Sequence, residues 1–133
     1  MILPMKKIIL LLFVVFSLQF SFANLNDAVL KQARDYYKNG NYEKALELYK
    51  SYSKDADFSD KKDIYLEMAN CYYKLDDTKK AIKCLKTAIA KYGLTEDVFI
   101  YSDLIDPEFS KYALAKVYDD LDKLQQEYIA ANN

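Results

Sequence analysis

YYKNGNYEKALELYK, Tyr36 to Lys50, returns thirty-six residues later in the chain as YYKLDDTKKAIKCLK, Tyr72 to Lys86. Nine positions are identical when the surrounding segments 26–54 and 62–90 are compared. Self-similarity at such a period is typical of repeat architectures, in which one unit cannot bury its apolar face alone and neighbouring units stack. The sequence therefore predicts two copies of one structural unit.

Small residues recur at fixed places inside the repeated segments. Ala33 and Ala45 return as Ala69 and Ala81, with large apolar or aromatic residues on either side. Two antiparallel helices approach closely only where side chains are small, so these alanines mark predicted crossing points. Because the order of small and large residues is kept in both copies, a chance similarity within a lysine- and tyrosine-rich chain is a poor explanation.

Apolar positions follow the 3.6-residue period of a helix, whereas two glycines and two prolines are too few for the tight turns of an all-β domain. The period predicts four helices, at about residues 26–39, 42–54, 61–75 and 78–92. Asn26 and Asn41 are the predicted N-caps of the first pair. Gly40 is predicted to end the first helix, and Asp76 takes the place of that glycine in the second pair. A polar loop is predicted at residues 55–60.

The order of small and large residues stops after Gly93. Thr95 can open a short helix, and Asp106-Pro107 can open another, with the aspartate as N-cap and the proline in the first turn. The second of these helices carries an apolar stripe at intervals of three and four residues, formed by Leu114, Val117, Leu121, Leu124 and Tyr128. We interpret this region as a cap on the repeats.

The repeated helix–turn–helix unit resembles the tetratricopeptide repeat, whose period is about 34 residues. The matching positions are Ala33, Tyr36, Gly40, Tyr42, Ala45 and Tyr49 in the first copy and Ala69, Tyr72, Ala81, Leu85 and Ala88 in the second. The resemblance implies an all-α fold, with two hairpins stacked as a short right-handed solenoid and one or two C-terminal helices. The expected boundaries are 26–59 and 62–95 for the repeats and 96–129 for the C-terminal helices.

The resemblance also implies a concave face, lined by the first helix of each pair, that binds a protein or peptide partner. The residues of this face are Leu30, Arg34, Tyr37 and Lys38 in the first repeat and Leu66, Asn70, Tyr73 and Lys74 in the second. Some family members hold a carboxyl terminus there with Lys and Asn, but Leu30 and Leu66 stand in place of the first clamp lysine. That specificity is therefore not expected here.

Two alternatives stay open for the concave face. If it binds a partner, the protein is a non-catalytic interaction module. If the chain's own C-terminal helix fills it, the protein is a structural subunit of an envelope assembly. An apolar face left open would favour the first alternative, and a face filled by residues 107–129 would favour the second.

Composition limits the possible chemistry. The chain has no histidine, no glycine-rich phosphate loop and no nucleophile motif, so we predict no enzymatic activity, no metal and no cofactor. Its formal net charge is −1, with both signs interspersed, which does not favour nucleic acid as a partner. Cys71 and Cys84 lie about five residues out of register across their helix pair, too far for a disulfide, and are predicted to be free thiols.

The N-terminal residues are predicted to form an export signal. Two lysines precede the apolar run IILLLFVVF, Ile8 to Phe16, and a small-x-small site ends at Ala23. The run is shorter than the roughly 20 apolar residues of a spanning helix, although an uncleaved anchor is the alternative. Cleavage would leave residues 24–133 as a helical domain, periplasmic or secreted and not held by the membrane. Signal and resemblance together indicate a small exported bacterial protein.

Overall fold

The computed structural model describes residues 4–133, with side chains described for 4–9 and 25–133. Helices make up the regular structure of this range, which contains no strand. The elements are α1 (Met5–Lys38), α2 (Tyr42–Asp55), α3 (Phe58–Lys74), α4 (Thr78–Tyr92), α5 (Glu96–Tyr101), α6 (Pro107–Val117), a 3-10 turn (Tyr118–Asp120) and α7 (Leu121–Asn132). The helices α1 and α2 form one antiparallel pair and α3 and α4 another, stacked as a short solenoid, so the predicted all-α fold is confirmed.

Two predicted helix starts were wrong. The first helix begins at Met5 and not at Asn26, since no glycine or proline interrupts residues 5–38 and an asparagine by itself does not stop a helix. The third begins at Phe58 and not near Lys61, because Asp57 is the N-cap residue: its backbone is extended, and the helix starts directly after it. The loop between α2 and α3 is therefore shorter than the predicted loop at 55–60.

The predicted signal sequence, residues 1–23, begins outside the described residues, and most of its side chains lie outside them as well. Over the described part of the chain, no helix is both long enough and apolar enough to cross a membrane.

The turns inside the two helix pairs have the same geometry although their sequences differ. Gly40 and Asp76 both adopt positive φ, 79° and 61°, the conformation that glycine accepts most easily and aspartate tolerates. In both turns the next residue is the N-cap of the following helix: Asn41 accepts a hydrogen bond from the Lys44 amide (3.3 Å), and Asp77 accepts one from the Lys80 amide (3.2 Å). The predicted equivalence of the two turns is confirmed.

The four repeated alanines, which are predicted to mark the crossing points, are all fully buried: Ala33, Ala45, Ala69 and Ala81. Around them are two clusters of apolar side chains. The first repeat packs on Leu46 and Tyr49, whereas the cluster of the second repeat extends into the C-terminal helices. The alanines at the predicted crossing points therefore belong to the core of both repeats.

The C-terminal helices pack on the second repeat. Asp106 is the N-cap of α6, with Pro107 in its first turn, as predicted. The predicted stripe is divided by the 3-10 turn, after which α7 packs against α4. Gly93, at φ 73°, ends α4 where the ring of Tyr128 approaches so closely that an added Cβ would lie 2.6 Å from it.

Candidate functional site

The concave face divides into two halves with different surroundings. The repeat-two face, formed by Leu66, Asn70, Tyr73 and Lys74, lies under residues 104–112, the loop before α6 and its first half; we call these residues the covering segment. The repeat-one face, formed by Leu30, Arg34, Tyr37 and Lys38, lines open pockets, and the start of the covering segment, Leu104, bounds one of them. Of the eight predicted residues, Leu66 and Asn70 are buried, whereas the other six are partly or fully exposed.

Asn70 ties the covering segment to α3. The residue is 2% exposed. Its amide nitrogen donates a hydrogen bond to the backbone carbonyl of Leu104, and its amide oxygen accepts one from the backbone N–H of Asp106 at 3.1 Å. An asparagine side chain has both a donor and an acceptor to match a backbone in this way. Asn70 therefore recognises the chain's own backbone, not a partner.

Lys74 and Asp106 hold the same segment by charge. The Lys74 Nζ lies 2.9 Å from one Asp106 carboxylate oxygen, and the other oxygen accepts hydrogen bonds from the backbone N–H groups of Glu108 (2.9 Å) and Phe109 (3.1 Å). Burial acts to raise the pKa of Asp106, but the Lys74 and backbone hydrogen bonds prevail and lower it. The hydrogen bond with Asp106 raises the pKa of Lys74. Both groups are therefore charged near neutral pH.

Tyr73 and Leu66 complete the repeat-two face with apolar contacts. The Tyr73 ring centroid lies 5.0 Å from that of Phe109 and 5.8 Å from that of Tyr112. Leu66 and Phe109 are both fully buried in the same cluster. These distances are typical of attractive aromatic pairs, so Leu66 is part of the core and Tyr73 packs against it.

The repeat-one face borders an open cavity of about 210 Å3. The cavity is lined by Arg34, Tyr37, Lys38, Tyr49, Glu67, Asn70, Asp103 and Leu104. Its floor comes from α1, α2 and α3, and its far wall comes from the start of the covering segment and the residue before it. Leu30 lies outside this cavity, in a shallower depression further along α1.

Glu67, which was not among the predicted site residues, pairs with Arg34 across the two repeats. The Arg34 Nε lies 3.2 and 3.1 Å from the two Glu67 carboxylate oxygens, and an Nη approaches one of them at 2.5 Å. The Glu67 side chain is 6% exposed and that of Arg34 42%. The hydrogen bond to Glu67 raises the pKa of Arg34 despite burial. One signal was present in the sequence: Glu67 stands among buried apolar residues of α3, where a carboxylate needs a partner.

Tyr37 provides the aromatic surface of the cavity. Its ring is half-buried and contacts Tyr42 edge to face, with centroids 5.3 Å apart. Burial raises the pKa of its hydroxyl above the ordinary range for tyrosine. The hydroxyl therefore stays protonated and can donate a hydrogen bond beside an apolar ring face.

Neither cysteine is disulfide-bonded. Cys71 is buried and Cys84 partly buried, and burial raises the pKa of their thiols to about 12 and about 11. Such thiols are unreactive because the nucleophilic thiolate is scarce. Among the described residues, no group of three or more histidine, cysteine, aspartate or glutamate side chains is arranged to hold a metal ion.

Antiparallel helix pairs that stack side by side, with their first helices lining one face, define the class of helical-repeat proteins. The chain matches the family model of the tetratricopeptide repeat over residues 27–98, more than half of its length, and it belongs to that family. The predicted resemblance is confirmed. Tetratricopeptide repeats generally mediate protein–protein interaction and are not catalytic. No curated protein and no solved structure matches the chain.

Proposed function

We propose that this protein is a non-catalytic interaction module that binds a segment of a protein partner on its repeat-one face. One observation carries the proposal: the cavity of about 210 Å3 beside Tyr37 is open, although the chain has covered the equivalent surface of the second repeat. A concave pocket with an aromatic wall and a few polar groups is the usual form of a recognition site.

The side chains around the cavity suit a peptide segment. Tyr37 offers a rigid ring with one polar end, which gives large contact area at a low cost in conformational entropy. Arg34 and Lys38 contribute cations to the cavity lining, and Glu67 and Asp103 contribute anions. Such a charged rim around an aromatic centre would exclude water from the contact and set the orientation of the bound segment.

Loss of the Tyr37 ring tests this proposal. The exported fraction of the cell is the source of partners, and the purified chain is the bait for affinity capture with mass spectrometry. Tyr37→Ala should abolish capture of the partner while helical content is kept, because aromatic anchors often contribute about 2 kcal/mol or more to binding. Tyr118→Ala is the matched control, since Tyr118 is 67% exposed and outside the cavity. Equal capture by the wild type and both variants would contradict the proposal.

A second candidate function is that of a structural subunit in an envelope assembly. The covering segment favours it, because half of the concave face is already used for internal packing. In that case contacts with other subunits would use the convex or terminal surfaces. The two candidates differ in one result: only the interaction module loses its partner when Tyr37 alone is truncated.

We further propose that the protein is exported and that its signal is removed after Ala23. The charged, apolar and small-residue segments of the N-terminus support this reading. N-terminal sequencing of the protein from the periplasm or the medium should find Asn24 first. A protein that still carries Met5 and needs detergent for extraction would instead support an uncleaved anchor.

A further inference from the structure

The covering segment occupies the repeat-two face as a bound ligand would. Each of the four face positions of the first repeat has its equivalent in the second, thirty-six residues later: Leu30 and Leu66, Arg34 and Asn70, Tyr37 and Tyr73, Lys38 and Lys74. The molecule therefore contains one occupied and one open copy of nearly the same surface. The occupied copy shows which chemistry that surface accepts.

Two groups of the covering segment contact two of the three face residues that are identical in both repeats. The Asp106 carboxylate binds Lys74, and the Phe109 ring packs on Tyr73. These two residues are three apart at the beginning of α6, where the carboxylate also caps the helix. One turn of helix thus presents an anion and an aromatic ring to an adjacent lysine and tyrosine.

The open copy has the same pair available. Lys38 is exposed and, among the described residues, forms no ion pair. Tyr37 lines the cavity beside it. Cavities of about 150 Å3 can hold a benzene ring, so about 210 Å3 leaves room for one phenyl side chain.

One face position differs between the copies, and this difference changes which ligand groups the surface prefers. Where the second repeat has Asn70, which binds backbone groups, the first has Arg34, whose guanidinium is bound to Glu67 yet still 42% exposed. Its charge is balanced by the Glu67 carboxylate, which lines the same cavity, and Asp103 adds a further anion to the lining. Lys38, on α1, is therefore the group that a ligand carboxylate should meet.

We propose that the repeat-one face binds a partner segment with the chemistry of the covering segment: an acidic residue that begins a helix, followed three residues later by an aromatic residue. The proposal rests on the proposed function and specifies the class of its ligand. The carboxylate lies against Lys38, and the aromatic ring enters the cavity against Tyr37.

A synthetic peptide of residues 102–113, SDLIDPEFSKYA, is the probe, and fluorescence anisotropy with the full chain is the measurement. The labelled peptide should bind saturably. Phe109→Ala in the peptide should weaken binding about thirtyfold, as expected for a central aromatic anchor. Asp106→Asn should weaken it about fivefold, as expected for a partly exposed ion pair. No binding, or equal binding of all three peptides, overturns the proposal.

Variants of the protein locate the bound peptide. Tyr37→Ala and Lys38→Ala should weaken peptide binding, whereas the matched changes Tyr118→Ala and Lys79→Ala should not. Circular dichroism confirms that each variant is folded. If binding depends on Tyr73 and Lys74 instead, the peptide has displaced the covering segment from the second repeat, and the proposal is overturned.

Selection from a random peptide library on the full chain separates this proposal from the function on which it rests. Enrichment of an acidic residue three positions before an aromatic one, in peptides that need Tyr37, supports both. Selected peptides that need Tyr37 but lack this pair overturn the ligand class and leave the interaction module standing. If no selected peptide depends on Tyr37, both fail.

Discussion

The two repeats carry the same residues at three of the four face positions, and these residues have different surroundings in the two copies. Leu66 is fully buried, whereas Leu30 is only partly buried. Lys74 is held in an ion pair, whereas its equivalent Lys38 is exposed. The helix pairs themselves do not cause this difference, because their turns and crossing points agree. The cause is the covering segment, whose ion pair and aromatic contacts are with the second repeat, whereas only its start borders the first.

This comparison shows that a side chain becomes part of the core or part of a site according to its neighbours in space. The aromatic pair of Tyr73 and Phe109 contributes to stability, whereas the ring of Tyr37 stays available beside an open cavity. Removing the covering contacts should therefore make the second repeat resemble the first.

Phe109→Ala should have the largest effect on stability. The residue is fully buried and packs on Tyr73, so its truncation removes transfer free energy and leaves a cavity, at a cost of about 3–5 kcal/mol. Chemical denaturation followed by circular dichroism measures this cost. Tyr118→Ala, at an exposed position of the 3-10 turn, should change the free energy of unfolding by no more than about 0.5 kcal/mol. A loss below about 1 kcal/mol for Phe109→Ala would mean that the segment is loosely held.

Overpacking the crossing points should affect both repeats alike. Ala45→Leu and Ala81→Leu each insert a large side chain where the helices touch, at a cost of about 1–3 kcal/mol. The thermal midpoint of each variant measures the effect, and Lys79→Leu, on the exposed side of α4, is the control. Equal and small changes of the thermal midpoint in all three variants would show that the predicted crossing points are wrong.

Asp106→Asn should lower stability near neutral pH by about 1 kcal/mol, since it removes the ion pair with Lys74 but keeps a capping side chain. The folded protein lowers the pKa of this carboxyl below its ordinary value of 3.8. Its stabilising contribution is therefore present above that value and lost as the pH falls through the lowered one. Unfolding curves of the wild type and the variant should converge by about pH 2. A difference that is the same at pH 7 and pH 2 would show that the charge contributes nothing.

The smallest effect should separate the two equivalent lysines. Lys74→Ala breaks a partly buried ion pair and should cost about 0.5–1 kcal/mol, whereas Lys38→Ala should leave stability unchanged. Denaturation curves of the wild type and the two variants, measured side by side, resolve a difference of this size in the free energy of unfolding. Equal losses for both variants would mean that the repeat-one face is covered in solution.

Repetition and local chemistry made much of the fold predictable. The turn at Asp76 could be inferred from the glycine it replaces, and the Asp106-Pro107 cap could be inferred from two adjacent residues. The start of α1 could not be inferred in the same way. A helix boundary is predictable where residues prefer another conformation, and no residue of segment 5–38 has a strong preference of that kind. The 3-10 turn that divides the apolar stripe was missed because the stripe continues across it.

The sequence by itself determined the helices, their turns and the alanines at which they cross, since each depends on neighbours in the chain or on an exact repeat. The resemblance to the tetratricopeptide repeat also predicted a concave face of eight residues. Only the tertiary structure decided which of them are accessible, because the covering segment follows Asn70 by more than thirty residues and its docking depends on three-dimensional contacts. The ion pair between Arg34 and Glu67 was also decided only by the tertiary structure, because it joins a cation of the first repeat to an anion of the second.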